Sequence, residues 1–231
     1  MTQKEYADEL KLIEQQNNYE YDLYFVIADL IKQRPNIKKD QLSLRAVFKR
    51  RRSKLGQIFY GLSNFPDFAI LDPNFRNQDN IGAQIKNVNQ IYGCIEIKEL
   101  GMPLLHMNSI ISSMTSHEKP LLSDAEGQLL GDILWYRKVL YTNGYEWKYY
   151  EWDPEEKEFD YIKATVEERI KSEERIKSEK RIKRGREFNW YQHIDFSQLD
   201  LGKIREKFHI SDVQNTNLQT LTEQIDQIKW K

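Results

Sequence analysis

The stretch IYGCIEIKELG, from Ile91 to Gly101, places an acid and a base two positions apart in a run of isoleucines. A strand sends successive side chains to opposite faces, so Glu96 and Lys98 would share one face of this strand while Ile95 and Ile97 share the other. The isoleucine face can pack into a core, whereas the charged face must meet water, a partner or a metal. The stretch therefore predicts a strand with one core face and one polar face.

The composition is typical of a globular protein. The chain has 231 residues, of which 39% are hydrophobic, enough for one sizeable domain with a packed core. Cys94 is the single cysteine, which excludes an intramolecular disulfide and a cysteine zinc site and suits a reducing cytosol. The first residues are polar, and no apolar run approaches the length that spans a bilayer. We therefore expect a cytoplasmic protein with no membrane partner.

The densest positive run is FKRRRSKLG. Its five basic residues are Lys49, Arg50, Arg51, Arg52 and Lys54. Lys and Arg together number 35 against 36 Asp and Glu, so the overall charge neither requires nor excludes a nucleic-acid partner. We predict that the run binds the phosphate backbone of DNA, with a solvated helix end or turn as the alternative reading.

Helical spacing in the first part of the chain gives way to strand signals. Apolar residues of YEYDLYFVIADLIK recur three and four positions apart, which predicts an amphipathic helix over residues 19–32. The segment QLSLRAVFKRRRSKLGQIFYGL, residues 41–62, predicts a second helix. The short apolar run FPDFAILD, which begins at Phe65 and is bounded by Pro and Asp, predicts a strand. With the opening stretch it predicts a meander of strands that ends at Lys98.

A helix and a hairpin are expected further along the chain. Ser123 and Glu126 have the spacing of a capping box, which predicts a helix that starts there and runs toward Tyr136. Asn143 and Gly144 separate two aromatic and aliphatic runs and predict a hairpin, because Asn-Gly readily supplies the positive φ angles of a tight turn. The aromatic residues of the hairpin that we expect to pack in the core rather than to stack on bases are Trp147, Tyr149 and Trp152.

A charged repeat, RIKSEE RIKSEK RIKRGR, runs from Arg169 to Arg186. Its Glu and Lys residues four positions apart favour a solvated helix, with a disordered linker as the alternative. The tail beyond it regains aromatic and aliphatic residues that can dock on the core or on a partner. These shifts predict an α/β domain over 1–160, a charged helix or linker over 161–187 and a C-terminal extension over 188–231.

Two carboxylates fall on adjacent predicted strands. Asp67, in the only Pro-Asp pair of the chain, opens the strand upstream of the one that carries Glu96, and Asp72 in the following turn is an alternative to Asp67. Two carboxylates held close repel one another unless a cation lies between them, and such hard oxygen ligands suit Mg²⁺, with Mn²⁺ as a substitute. The backbone carbonyl of Ile97 can add another oxygen. Lys98 can then polarise or position a water for attack on a phosphodiester.

At these residues the sequence resembles the PD-(D/E)XK nucleases, whose pattern stands here as Pro66-Asp67 and Glu96-Ile97-Lys98. The hairpin YTNGYEWKYY, residues 141–150, is similar to one in the N-terminal nuclease region of type I restriction enzyme motor subunits and their stand-alone relatives. The resemblance covers residues 19–152. It implies a restriction-endonuclease-like α/β fold, a mixed central sheet flanked by helices, with the charged helix and the C-terminal extension appended. It also implies that Asp67, Glu96 and Lys98 are catalytic, with the metal held by Asp67, Glu96 and Ile97.

The resemblance assigns two further residues by position. The closer family often carries Gln-x-x-x-Tyr on the helix after the catalytic strand; here Gln128 is followed four residues later by Asp132, so Gln128 is expected near the site without its tyrosine partner. Glu20 lies where such folds often add another acid, with an ordinary helix-surface Glu as the alternative. The chain contains no GxxxxGK[ST] phosphate loop, so it lacks the ATP-driven motor of a type I enzyme.

These residues predict a Mg²⁺-dependent deoxyribonuclease, an endonuclease rather than an exonuclease, with DNA as its partner. The enzyme would act alone, as a homo-oligomer or with a separate protein subunit. The alternative from another class is a non-catalytic subunit of a DNA-processing or restriction complex that keeps this fold and binds DNA or a protein partner. A purely structural alternative is that Asp67, Glu96 and Lys98 form a surface ion network.

Overall fold

The computed structural model describes residues 1–16, 19–47, 58–63, 65–75, 87–115, 122–178 and 190–231. In these ranges one mixed sheet has six strands that lie side by side in sequence order. The strands are β1 (Ser43–Ala46), β2 (Phe68–Leu71), β3 (Ile91–Ile97), β4 (Lys138–Thr142), β5 (Trp147–Trp152) and β6 (Ile204–Ile210). The neighbours β3 and β4 run parallel, and every other neighbouring pair is antiparallel.

Helices cover both faces of this sheet. The α-helices are α1 (Gln3–Gln16), α2 (Glu20–Lys32), α3 (Pro35–Lys39), α4 (Met107–Thr115), α5 (Asp124–Tyr136), α6 (Glu156–Ser178) and α7 (Leu218–Asp226). Short 3-10 helices span Asn87–Gln90, Trp190–Gln192, Phe196–Gln198 and Leu201–Lys203, and a π-helix spans Val213–Asn217. No helix in the described ranges combines the length and the apolar character that crossing a membrane requires.

Each face of the sheet has its own hydrophobic core. Ile95 and Ile97 of β3 lie in the core that includes buried residues of α1, α2 and α7. Cys94 lies in the other core, with buried residues of α4, α5 and α6. The predicted alternation of side chains between two faces is therefore confirmed, but both faces are buried rather than one. The α/β class with a mixed central sheet flanked by helices is also confirmed. A sheet buried on both faces is the arrangement that a parallel crossover produces.

The predicted helix that begins with a capping box is α5. The Ser123 Oγ accepts a hydrogen bond from the Glu126 N–H at 3.3 Å, and the Glu126 carboxylate accepts one from the Ser123 N–H at 2.8 Å. The helix ends at Tyr136, and its C-cap residue, Arg137, adopts a left-handed conformation with φ of 66°. Together with α4, this helix forms the crossover between β3 and β4 and brings Glu96 beside Tyr141 in the parallel register.

The predicted hairpin is the pair β4 and β5. Its turn spans the four residues 143–146, where Gly144 alone has a positive φ, of 85°; the Asn143 φ is not positive, contrary to expectation. The Asn143 side-chain oxygen instead accepts two backbone N–H groups of the turn. Trp147, Tyr149 and Trp152 are buried, which confirms their core role.

The helix predicted over residues 41–62 is wrong at its start. Ser43–Ala46 forms β1, which pairs antiparallel with β2. Leu42 and Leu44 are buried while Arg45 is exposed, a period of two that indicates a strand, and pairing with β2 supplies the hydrogen bonds that fix it. The basic run, Lys49, Arg50, Arg51, Arg52 and Lys54, lies outside the described residues.

The C-terminal third packs on the same sheet. α6 begins at Glu156, and its buried hydrophobic residues are Phe159, Ile162, Val166 and Ile170. The helix reaches Ser178, so the described first part of the charged repeat is helical, and the predicted pair of Lys171 with Glu167 is present at 2.7 Å. β6 pairs with β5 and extends the sheet, so the tail after residue 190 docks on the core.

Candidate active site

Asp67 and Glu96 face each other across two neighbouring strands. The antiparallel register pairs Phe68 with Ile95, which sets Asp67, one residue before β2, directly opposite Glu96. Directly opposed residues of an antiparallel pair share a face of the sheet. Asp67 is 6% exposed and Glu96 is 3% exposed. The two carboxylates are therefore neighbours as predicted, but the face that carries them is covered rather than open to water.

The two oxygens of the Glu96 carboxylate have different surroundings. Glu96 Oε1 accepts a hydrogen bond from Lys98 Nζ at 2.6 Å and a second from Gln128 Nε2 at 2.7 Å. Glu96 Oε2 is buried and has no hydrogen-bond partner. Lys98 reaches Glu96 from the end of the same strand, whereas Gln128 reaches it from α5 above the sheet face. The strand and the helix together fix one oxygen and leave the other without a hydrogen-bond partner.

The pKa values of Glu96 and Lys98 depend on burial and on the attraction between the two side chains. Burial raises the pKa of Glu96 to about 8, although the Lys98 ammonium opposes the rise, and Asp132 adds to it. Burial alone would lower the pKa of Lys98, but the Glu96 carboxylate raises that pKa above its usual value. Lys98 is therefore an ammonium ion at neutral pH, suited to stabilising negative charge rather than to removing a proton.

Asp67 is held by two donors. Its Oδ2 accepts a hydrogen bond from the Ile97 N–H at 2.6 Å, and its Oδ1 makes a short contact with the Tyr24 hydroxyl. Burial and the nearby Glu96 charge raise the pKa of Asp67 well above its usual value, despite these hydrogen bonds. Ile97 thus contributes its N–H to the site; a metal-ligand role for its carbonyl stays a prediction.

Tyr24 links Asp67 to Glu20. Its hydroxyl also lies 2.8 Å from Glu20 Oε1, so the predicted further acid on α2 does reach the site. A phenol has a single hydrogen, so Tyr24 can donate to only one of the two carboxyl groups at a time.

Two residues of the site were not assigned a role from the sequence. Tyr24 lies one helical turn beyond Glu20 on α2, and Asp132 lies one turn beyond Gln128 on α5. Asp132 is 1% exposed, and its Oδ2 has no hydrogen-bond partner. Burial raises its pKa well above the usual value, with Lys98 opposing and Asp67 adding to the rise. The spacing of four on each helix was the available signal, since such positions share a helix face.

Asp72, the alternative to Asp67, lies at the far end of β2. Its carboxylate accepts a hydrogen bond from the Tyr92 hydroxyl at 2.6 Å and pairs with Lys231 at 3.6 Å. These partners are not part of the cluster around Glu96. Asp67 is therefore the carboxylate that the sheet brings to Glu96.

The oxygen atoms of the site meet only some of the requirements of a hard divalent cation. Across the described ranges, no group of three or more His, Cys, Asp or Glu side chains is placed to hold a metal ion. The predicted set needs only two such side chains, Asp67 and Glu96, because its third oxygen is a backbone carbonyl. The buried, unpartnered oxygens of Glu96 and Asp132 are the oxygen ligands that Mg²⁺ prefers. The residues present therefore include oxygen donors that Mg²⁺ or Mn²⁺ accepts, and metal binding itself stays a prediction.

Comparisons with known proteins add no relative. No family model matches the chain, and neither the curated proteins nor the solved structures give a significant match.

Proposed function

We propose that the chain is a Mg²⁺-dependent deoxyribonuclease of the PD-(D/E)XK kind, acting as an endonuclease. The observation that carries the proposal is the asymmetric Glu96 carboxylate: Lys98 and Gln128 both donate to Oε1, while the buried Oε2 has no partner. A carboxylate held in this way is oriented before a ligand arrives, which is the arrangement that catalysis by positioning requires.

The order of elements supports the same proposal. Glu20 lies on a helix before the sheet, Asp67 and Glu96 lie on an antiparallel pair, and Gln128 lies on the helix that crosses over to a parallel strand. The hairpin with the Thr-Asn-Gly turn follows directly. This is the succession that the sequence resemblance implied for such nucleases.

Lys98 has the role that its charge permits. Its ammonium lies beside the carboxylate pair and stays protonated, so it can hold a water or a phosphate oxygen and stabilise the negative charge that develops during attack. Gln128 orients Glu96, and Tyr24 orients Asp67. A divalent metal held by Asp67, Glu96 and the Ile97 carbonyl would supply Lewis-acid stabilisation of the phosphodiester oxygens.

One observation favours a second candidate function. Both oxygens of Asp67 are already engaged, one by the Ile97 N–H and the other by the Tyr24 hydroxyl. A site fixed by its own hydrogen bonds suits a non-catalytic subunit that keeps the fold and binds DNA or a protein in a restriction or DNA-processing complex. Turnover remains the preferred proposal, because the buried Glu96 and Asp132 oxygens without hydrogen-bond partners are the atoms that a ligand would satisfy.

Calorimetric titration with Mn²⁺ tests the metal part of the proposal. The parent protein should bind Mn²⁺, and Glu96→Gln should weaken that binding at least about tenfold, since it removes a charged oxygen ligand. Glu9→Gln, at an exposed position of α1, is the matched control and should bind as the parent does. Equal affinity of the parent and Glu96→Gln would remove Glu96 from the metal site.

A further inference from the structure

A polar cavity lies at the opposite end of β3 from Glu96. Its volume is about 550 Å³, and it opens between Tyr92, Arg137, Lys138, Phe159 and Trp230. Tyr92 lies four residues before Glu96 on β3, a separation of about 13 Å along a strand. A cavity of this size is in the range of sites that take small molecules and cofactors. It is therefore distinct from the candidate active site.

Arg137 places an incompletely satisfied cation at the wall of this cavity. One guanidinium nitrogen donates to the Ile91 carbonyl at 3.2 Å, and the group stacks on the Phe159 ring with 4.7 Å between the guanidinium carbon and the ring centroid. Its Nε is buried and has no hydrogen-bond partner. Within the described residues no carboxylate forms an ion pair with it. A half-buried guanidinium without a counter-charge is costly, so an anion here would gain a charge-assisted bond.

Other N–H groups of the wall also lack acceptors. The indole N–H groups of Trp152 and Trp230 are buried without hydrogen-bond partners. The Lys138 ammonium donates to the Trp230 carbonyl at 3.1 Å. Lys231 stands 5.7 Å from the centroid of the Tyr92 ring and pairs with Asp72. The cavity wall therefore combines two half-buried cations, Arg137 and Lys138, with aromatic rings.

Three acidic residues, Glu151, Asp153 and Glu156, also line the cavity. Glu151 pairs with Lys207 at 3.4 Å on the neighbouring strand. Asp153 and Glu156 are exposed and stand at the rim. The charges of exposed side chains are screened by water and salt more strongly than those of Arg137 and Lys138, which are half-buried.

We propose that this cavity binds a phosphate-bearing ligand of nucleotide size, with the phosphate on Arg137 and Lys138. A planar guanidinium matches phosphate oxygens in a two-point contact, and the rings of Tyr92 and Trp230 provide apolar surface for a base or a sugar. The phosphate comes from either a free nucleotide or a nucleic-acid backbone. The proposal stands independently of the proposed nuclease activity, because it uses none of the active-site residues.

Titration of the full chain with three probes tests the proposal. The probes are inorganic phosphate, dTMP and a short DNA duplex, the last in EDTA to suppress cleavage, and the readouts are calorimetry and the intrinsic tryptophan fluorescence, to which Trp152 and Trp230 contribute. Arg137→Gln should weaken the binding of the phosphate probe at least about tenfold. Arg34→Gln is the matched control, because Arg34 pairs with Asp226 at 3.6 Å outside the cavity, and it should bind as the parent does.

A rim variant keeps the test independent of folding defects at Arg137. Glu156→Gln removes one exposed negative charge without touching the interior and should tighten dTMP binding about twofold at low ionic strength. Binding of dTMP assigns the phosphate to a free nucleotide, and binding of the duplex alone, lost in Arg137→Gln, assigns it to a nucleic-acid backbone. If no probe binds, or if binding is unchanged in both folded variants, the proposal is overturned.

Discussion

Lys98 and Glu96 form an ion pair of 2.6 Å between residues two positions apart at the end of one strand. The Glu96 side chain is 4% exposed and the Lys98 side chain is 15% exposed, so the pair is shielded from water. Gln128 donates to the same oxygen that Lys98 contacts. The ion pair therefore keeps Lys98 protonated, because Glu96 raises its pKa, and it holds Glu96 in one orientation.

Stability should depend on pH through Glu96. Its pKa is about 8 in the folded chain and near 4.5 when unfolded, so between these values the folded state binds the extra proton. The free energy of unfolding must then fall as pH rises, by up to about 1.4 kcal/mol per pH unit. Glu96→Gln lacks this proton, so its melting temperature relative to the parent should rise from pH 5 to pH 8. A constant difference, as expected for the exposed control Glu9→Gln, would contradict the buried, raised pKa.

Lys98 should be required for cleavage and not for folding. Lys98→Met removes the ammonium and should lower the single-turnover rate about a hundredfold or more, the scale of losing one electrostatic stabiliser. Lys98→Arg keeps the positive charge and should retain part of the rate. Lys171→Met, at a 58% exposed side chain on α6, is the control and should cleave normally. An unchanged rate in folded Lys98→Met would make the ion pair structural.

Replacing Asp132 should raise the stability of the protein and lower its affinity for Mn²⁺. Its buried Oδ2 has no partner, so Asp132→Asn removes a charge that is expensive to bury while it preserves the shape of the side chain. Because burial of this ionisable group is costly at pH 8, where the unfolded chain has it ionised, we expect the free energy of unfolding to rise by about 1–3 kcal/mol, measured by urea denaturation. The Mn²⁺ affinity should fall in the same variant. A less stable Asp132→Asn protein with parental Mn²⁺ affinity would give Asp132 a purely structural role.

The basic run should supply salt-dependent affinity for DNA. Arg50→Ala, Arg51→Ala and Arg52→Ala combined should weaken binding at every sequence and flatten the salt dependence by about 0.9 per lost phosphate contact. Fluorescence anisotropy at several salt concentrations, in Ca²⁺ to suppress cleavage, measures both effects. Mn²⁺ binding should stay unchanged. An assembly module without DNA contacts would show negligible affinity in the parent and no change in the triple variant.

Local sequence signals predicted the elements that they specify directly. The capping box at Ser123 and the spacing of apolar residues in α2 each act within one helix, and the hairpin at Gly144 acts within one turn. β1 was missed because its conformation depends on pairing with β2, more than twenty residues away. Strand preference of this kind reflects the neighbours in the sheet rather than the segment itself.

The candidate site was predictable in its residues and less so in its environment. Asp67 and Glu96 were placed on neighbouring strands, but the register that sets them opposite each other depends on long-range pairing. The sequence suggested an open charged face, whereas α5 covers Glu96 with Gln128 and Asp132. Burial, which raises the pKa values here, is a property of helix packing on the sheet and cannot be inferred from the strand alone.

Cleavage of DNA in defined metal conditions tests the proposed function most directly. Supercoiled plasmid and linear duplex are incubated with the parent and with Glu96→Gln, purified side by side, in Mg²⁺, in Mn²⁺ and in EDTA. The account predicts nicking or linearisation of the plasmid by the parent in Mg²⁺ or Mn²⁺, none in EDTA, and loss of at least about two orders of magnitude in Glu96→Gln. Intact DNA with the parent in both metals, or equal cleavage by the folded variant, would contradict it.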